Sequence, residues 1–494
     1  MAEIDNYFQA WGEMRKASVC PTDQDLLTAF CVDKLQGRFI DRLRDAIKIP
    51  SVSSEPGRRA DTIKMAHWVK SEMEALGIQV RLKPLGKEPG TDLDLPPLIL
   101  GRYGNDAEKP TIMVYSHYDV QPASLQDGWD HDPWALTESN GLLHGRGTSD
   151  DKGPLVNWLN MLEAFQDADQ EVPVNLAFFL EGMEENGSVG FRAALEDEAS
   201  HFLSDVDAVC LTDVAWASNT QPTIPRGLRG VLFYRITIRG AQEDAHSGLF
   251  GGAISEPMTD MVNVMSSLVD SQGKLLIPGV YDDVLEVSDE EREAYEKLPL
   301  TPEALDGGIG GRVIHATKAE TIISKWRQPS LSLHRIENLK AGPGATTSIP
   351  AALVGKFSIR TVPNMGASEV DALVRQHIES RFKQLQNKND LDIDCVHQSD
   401  WFYEDVDHWN YQAGIKAIER TWGVTPQVTC EGGSIPIALD LKKVLKKNVL
   451  LLPVGRPTDG IHSVNEKLDK INYFNAIKVY GSYLGEIAAR WQGK

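Results

Sequence analysis

The chain has 494 residues, 41% hydrophobic and 24% charged, a globular composition that excludes a disordered or fibrous protein and at this length implies two domains or more. Its 50 Lys and Arg against 71 Asp and Glu leave a net charge of −21, which repels phosphate backbones and anionic lipid. No nucleic-acid or membrane partner is expected: no apolar run approaches the ~18 residues of a membrane span, and the densest basic stretch, Leu441-Lys442-Lys443-Val444-Leu445-Lys446-Lys447, reads as one solvated helix face.

The opening Met1-Ala2-Glu3-Ile4-Asp5-Asn6-Tyr7-Phe8 carries acid where a signal peptide needs a basic region and an apolar core. Cys20, Cys31, Cys210, Cys395 and Cys430 are scattered, with no Cys-x-x-Cys pair, against both a disulfide framework and a thiolate metal site. A cytoplasmic protein is expected. Residues 35–49 and 59–76 show helical periodicity, the second closed by Gly77. Then follow a strand at 111–116, a helix at 154–165, a strand at 175–180, a helix near 189–203 and a strand at 207–212. Such alternation predicts an α/β domain with a mostly parallel sheet covered on both faces.

At Gly227-Leu228-Arg229-Gly230 the pattern changes. A strand at 231–238, a helix at 256–269, strands at 331–335 and 354–362, a helix at 368–385 and a strand at 391–397 predict a β-α-β-β-α-β layer, an α+β ferredoxin-like domain. Residues 272–327, rich in Gly and acid, read as an insertion into it. From about residue 400 the first pattern resumes, with helices at 411–421 and 473–490 and an apolar strand at 448–452. The expected division is a first domain of residues 1–226 and 400–494, interrupted by an inserted domain of residues 227–399.

Ligands bind beyond the carboxyl ends of parallel strands, and the residues at those ends are biased. His117-Tyr118-Asp119 follows 111–116, and Asp150 and Asp151 follow the 141–144 segment. Glu184 and Glu185 follow 175–180, Asp213 follows 207–212, and Asp459 and His462 follow 448–452. Singly these have ordinary readings: a hydrogen-bonded surface His, acids favouring a helix start, an Asx turn. Together they concentrate carboxylates that cannot all stay ionised uncompensated, and bound cations resolve the conflict. Two His, several carboxylates and no Cys suit zinc or manganese. His117, Asp150, Glu185, Asp213 and His462 divide into one His and one terminal carboxylate for each of two ions, if Asp150 bridges them. Asp119 is placed to fix the His117 tautomer, and Glu184 is left as a general base.

The segments SHYDVQP, HGRGTSDDKGP, EGMEENGS, HSGLFGG, GPGATTSIP, FSIRTVPN, EGGSIP and IHSVNEK resemble those of the dinuclear metallopeptidase family that contains aminoacylase, glutamate carboxypeptidase and the cytosolic non-specific dipeptidases. The carnosinase-like dipeptidase branch is the nearest in DDKGP, HSG-x-x-GG and EGGSIP. The resemblance implies that His117 and Asp213 hold one ion, Glu185 and His462 the other, and that Asp150 bridges them. It makes Asp119 the orienting acid, Glu184 the base, residues 1–226 and 400–494 the metal-binding catalytic domain, and residues 227–399 the lid and dimerisation domain. His246 is implied to stabilise the oxyanion in a homodimer partner's active site, with Thr347, Arg360 and Ser434 holding a small peptide substrate.

Ordinary readings remain for these lid residues: a surface ion pair for Arg360, turn hydroxyls for Thr347 and Ser434, support of a Gly-rich turn for His246. Against that branch's pattern, Val214, Ala215 and Trp216 follow Asp213 where an amide and an aromatic are usual, Thr346 replaces Lys, and Ile461 replaces a small residue. These departures point to an altered substrate pocket. The expected activity is hydrolysis of dipeptides with a free C-terminal carboxylate. The alternatives are an aminoacylase-type amidohydrolase and a non-catalytic binding subunit.

Overall fold

The computed structural model describes residues 31–298, 300, 313–338 and 347–491; Cys20, Thr346, the opening residues and part of the 272–327 insertion lie outside them. Six strands build the main sheet: β1 (Gln79–Lys83), β2 (Leu98–Tyr103), β3 (Thr111–His117), β4 (Asn175–Glu181), β5 (Ala208–Leu211) and, after the second domain, β10 (Val449–Leu451). Their order is β1-β2-β4-β3-β5-β10. β4, β3, β5 and β10 are mutually parallel, whereas β2 is antiparallel to both its neighbours.

The apolar runs of the central strands become intelligible as two interleaved faces. Ile112, Val114, Leu176, Phe178, Ala208, Cys210 and Leu450 point into one core, with Phe39, Met65, Trp158, Tyr411 and Tyr480 from the covering helices. Their neighbours Met113, Tyr115, Ala177, Phe179, Val209, Leu211, Val449 and Leu451 point into the other, with Phe191, Leu195, Ile437 and Leu441. Both faces are buried, so every residue of β3 and β4 is buried and the runs lack polar alternation. In the first core Trp158 stacks on Tyr480 with ring centroids 4.3 Å apart.

β1 and β2 escape the sequence reading for physical reasons. β1 is a half-exposed edge of alternating character, with Arg81 and Lys83 both paired to Glu198. β2 is broken by Gly101, where a Cβ would strike Met73. The basic stretch differs too: its helix, Pro436–Leu445, stops before Lys446, which turns left-handed, so Lys446 and Lys447 lie beyond the helix.

The second sheet comprises β6 (Gly230–Arg239), β7 (Ser330–Glu337), β8 (Ala352–Thr361) and β9 (Asp390–Ser399), in the order β7-β8-β6-β9 with all pairs antiparallel. This is the ferredoxin-like arrangement, with helices Pro257–Ser266 and Ala367–Gln384 against one face. Leu232, Tyr234, Ile236 and Ile238 alternate into that core beside Met261, Phe357 and Val374. Gly355 is required beneath the helix, since a Cβ there would lie 2.6 Å from the Met261 sulfur. The chain enters this body after Thr223–Leu228 and leaves before Phe402–Tyr403, and these strands pair antiparallel, so the two crossings are tied together. Among the described residues no helix is long and apolar enough to cross a membrane.

Candidate active site at the carboxyl edge of the main sheet

Because β3, β4, β5 and β10 run in parallel, the segments that follow them emerge at one edge. His117 is the last residue of β3, Glu184 and Glu185 sit in a 3-10 turn just after β4, Asp213 lies just after β5, and His462 is on the long loop after β10. Asp150 arrives differently from expectation. It follows the strand Leu142–His144, which belongs to a separate three-stranded sheet with Thr137–Ser139 and Lys467–Asp469.

The structure brings the predicted ligands together. The His117 Nδ1–H faces Asp119, 3.1 Å from its carbonyl and 3.3 Å from Oδ1, which leaves Nε2 facing Asp150 Oδ1 at 3.1 Å and Asp213 Oδ2 at 3.6 Å. His462 Nε2 lies 3.0 Å from Asp150 Oδ2 and 2.8 Å from Glu185 Oε2. Asp150 therefore turns one oxygen to each imidazole. The buried Asp119 also accepts the backbone N–H groups of Glu184 and Glu185, at 3.2 and 3.1 Å, so one carboxylate orients both His117 and the Glu184 turn. Ligand atoms of His117, Glu184 and Asp213 form one group within 4.8 Å, and those of Asp150, Glu185 and His462 form a second. His462 holds a left-handed backbone, φ 59°, a strained choice for a non-glycine residue of the kind that collects at functional sites.

The electrostatics call for cations. Burial, with the charges of neighbouring carboxylates, pushes Glu184, Glu185 and Asp213 above the usual carboxylate range. Burial opposes charge on His117, yet Asp119, Asp150 and Asp213 outweigh it and hold the imidazole well above its ordinary value. Asp150 and Glu185 push His462 up to about 11. The two imidazoles are thus drawn toward their protonated forms by carboxylates that divalent ions would neutralise more fully. Imidazole nitrogens and carboxylate oxygens, without thiolate, fit such ions.

The remaining predicted residues form two further groups. His246 is exposed on the short strand Ala245–His246, paired with Ser348–Ile349; its Nδ1 accepts the Gly248 N–H at 3.0 Å, and Ser247 N donates to the Thr347 carbonyl at 2.8 Å. No hydrogen bond or ion pair among the described residues joins His246 or the exposed Thr347 to the His117 and His462 groups. Arg360, on β8, donates to Ser434 Oγ at 2.6 Å, and Ser434 donates in turn to the Arg229 carbonyl.

Residues 113–486 match the model of Peptidase family M20/M25/M40. The chain belongs to this peptidase family. It is similar to the Cys-Gly metallodipeptidase dug1 of Schizosaccharomyces pombe, 45% identical over 93% of this chain and 97% of that one. It is also similar to the Beta-Ala-His dipeptidase of Homo sapiens, 37% identical over 92% and 91% of the two chains. Among solved structures, the dipeptidase Dug1p of Saccharomyces cerevisiae superposes with a TM-score of 0.87 at 39% identity, covering 94% of this chain and 98% of that one.

In this M20/M25/M40 peptidase the loop that carries Asp150 rests on a residue to which sequence reasoning assigned no role. Glu466 is fully buried and accepts four N–H groups: Ser149 N at 2.9 Å and Asp150 N at 3.1 Å on one oxygen, Arg146 Nη1 at 2.8 Å and Gly147 N at 2.9 Å on the other. Burial pushes it up to about 7 against the pull of Arg146. Asp459 seconds it, accepting Ser149 Oγ at 2.9 Å and Lys467 Nζ at 2.7 Å. Gln121 donates to Glu185 at 2.8 Å. Glu466 stands in IHSVNEK and Gln121 in SHYDVQP, but nothing local marks either as a support.

Glu466→Ala leaves the buried Arg146 without its counter-charge, and breaking a buried pair from one side costs about 3–5 kcal/mol. The expected result is a shift of that size in urea unfolding of the metal-loaded protein, with weaker metal retention. An unchanged midpoint would show that the loop holds itself.

Proposed function

We propose that the protein is a two-metal dipeptidase that cleaves peptides with a free C-terminal carboxylate, working as a cytoplasmic homodimer. The observation that carries this reading is the Asp150 carboxylate, with one oxygen toward each imidazole and a further carboxylate beside each. Zinc or manganese held by His117 with Asp213, by Glu185 with His462, and by Asp150 between them would polarise the scissile carbonyl and acidify a water. Asp119 keeps His117 in the tautomer that presents Nε2. Glu184, which belongs to the first group but is left free of the ligand role, takes the proton of the attacking water and returns it to the leaving amine.

Arg360, steadied by Ser434, grips the terminal carboxylate, for which a guanidinium fork is suited. His246, with Thr347, serves the partner subunit's site, where the imidazole stabilises the tetrahedral oxyanion. Supporting a subunit contact here, Leu249 and Phe250, beside His246, are 74% and 45% exposed. Residues 227–399 act as the lid, whose closure excludes water. The described cysteines Cys31, Cys210, Cys395 and Cys430 are all free, as a reducing compartment favours. The test is metal content together with turnover across a panel of dipeptides and N-acetylated amino acids. About two ions per chain and preference for dipeptides support the reading, whereas turnover of acylated amino acids alone would favour an aminoacylase-type activity.

Arg360→Ala is expected to raise KM by ~10- to 100-fold, the scale of a charge-assisted hydrogen bond, with little change in kcat. Converting the substrate's carboxylate to an amide removes the same interaction, so the two losses should not add. Additive losses would place the carboxylate elsewhere.

A further inference from the structure

One buried carboxylate near the site has no assigned work. Glu431 ends the strand Gln427–Glu431, and its side chain lines a cavity of about 290 Å³ that opens beside Asp213 and is walled by Ala215, Trp216, Trp326 and Ser434. Its Oε1 is buried without any hydrogen-bond partner among the described residues. Such a group costs stability unless something fills its valence, and it stands out in a structure where buried polar atoms are normally paired. Lys325 lines the same cavity and, among the described residues, is the charge that lowers Glu431 against its burial. Burial dominates over Lys325 and pushes the Glu431 carboxyl up to about 7.

The chemistry of the surroundings is directional. On the carboxylate side Arg360 and Arg229 meet around Ser434 and Ser330: Arg360 donates to Ser434, Arg229 Nη1 donates to Ser330 Oγ at 3.0 Å, and Ser330 is the β-ladder partner of Arg360. Neither guanidinium has a carboxylate partner among the described residues, and Arg360 helps burial to lower Arg229 to about 10. That end of the site wants an anion. The Glu431 cavity shares Ser434 with that end and extends from it to Asp213; its lining of Trp216, Trp326 and Ala215 holds an orphan acceptor, and this part wants a cation. A dipeptide has these two ends, a carboxylate and an ammonium, with the scissile carbonyl between them.

We infer that Glu431 recognises the free α-ammonium group of the substrate's N-terminal residue, and that the cavity of Ala215, Trp216 and Trp326 takes that residue's side chain. This rests on the dipeptidase reading and deepens it, because it names what separates a dipeptide from an N-acyl amino acid. An ammonium donates to the bare Oε1 and neutralises the buried carboxylate. An acyl group offers neither, and leaves the acid buried and unpaired. Ala215 contributes only a methyl, so the cavity has room for a medium-sized side chain against the indoles.

The test uses the metal-loaded protein, one dipeptide and its N-acetylated form. Glu431→Gln keeps the shape and removes the charge. For the free dipeptide KM should rise ~10- to 100-fold with kcat nearly unchanged, the range for loss of a hydrogen bond between charged groups. The acetylated form should lose nothing, so that discrimination between the two collapses, and Glu431→Asp should restore part of it with an unchanged melting temperature. Equal losses for both substrates, or a loss that follows a lowered melting temperature, would make Glu431 a structural partner of Lys325 and overturn the inference. Full discrimination retained in Glu431→Gln would overturn it as well. A wild-type protein that hydrolyses no free dipeptide would instead overturn the dipeptidase reading on which it stands.

Discussion

Protein stripped of divalent metal is expected to turn over no dipeptide and to melt below the metal-loaded protein, by a margin that widens as pH rises from about 5 to 8. Asp150, Glu184, Glu185 and Asp213 lie at one sheet edge, and without cations His117 and His462 are the groups among the described residues that offset them. Burial and mutual repulsion raise Glu184, Glu185 and Asp213 above the pH near 4 at which the unfolded chain releases its carboxyl protons. His117 is held high, and His462, pushed up to about 11, keeps a proton that the unfolded chain loses near pH 6.5. Where the folded state binds more protons than the unfolded one, stability falls as pH rises. Asp150 has the opposite sign, because its contacts with His117 and His462 hold it low despite burial, but its titration lies below this window. Bound metal replaces the protons and removes the slope. Melting temperatures of dialysed and reloaded protein across this range, with turnover and metal content, make the measurement. Full turnover after chelation, or a gap that narrows with pH, would refute the two-cation cluster.

What could be read before the structure follows from how local each signal is. β3 and β4 are buried on both faces, so their apolar runs are unbroken, and the polar residues directly after them stand out as the ends of parallel strands. His117, Glu184, Glu185 and Asp213 were legible for that reason. The alternating strands β6 and β8 of the second sheet were legible because one face packs on two helices. Asp150 was found among the same residues through a mistaken premise: its strand belongs to another sheet, and a three-stranded ladder with Lys467–Asp469 brings it to the edge. Partnerships across hundreds of residues left no local trace. Glu466 holds Arg146 and Asp150 across more than 300 positions, and Arg229 reaches Gly432 and Ser330 from a segment that sequence marks only as a change of pattern. Burial without a partner, the property that singles out Glu431, exists only once the fold has closed around it.

Glu184→Gln should retain both metal ions and lose turnover by ~100- to 10,000-fold, the scale on which general-base catalysis contributes. Gln keeps the length and nearly the shape of Glu, so the turn Glu184–Asn186 and its two backbone bonds to Asp119 survive; what disappears is the capacity to accept the water's proton. The same burial that pushes the Glu184 carboxyl up makes it a stronger base than a solvated glutamate. KM should change little, because the side chain acts only as the bond to water forms. Loss of metal in parallel with activity would instead make Glu184 a ligand of the His117 and Asp213 group, near whose atoms it lies. The same variant locates His246. Inactive Glu184→Gln chains mixed with inactive His246→Ala chains give dimers in which, if the imidazole crosses to its partner, one active site carries both lesions and the other carries none. Activity should then reappear on mixing. Mixed dimers that form and stay inactive would confine His246 to its own chain, where no hydrogen bond among the described residues connects it to the metal-ligand groups.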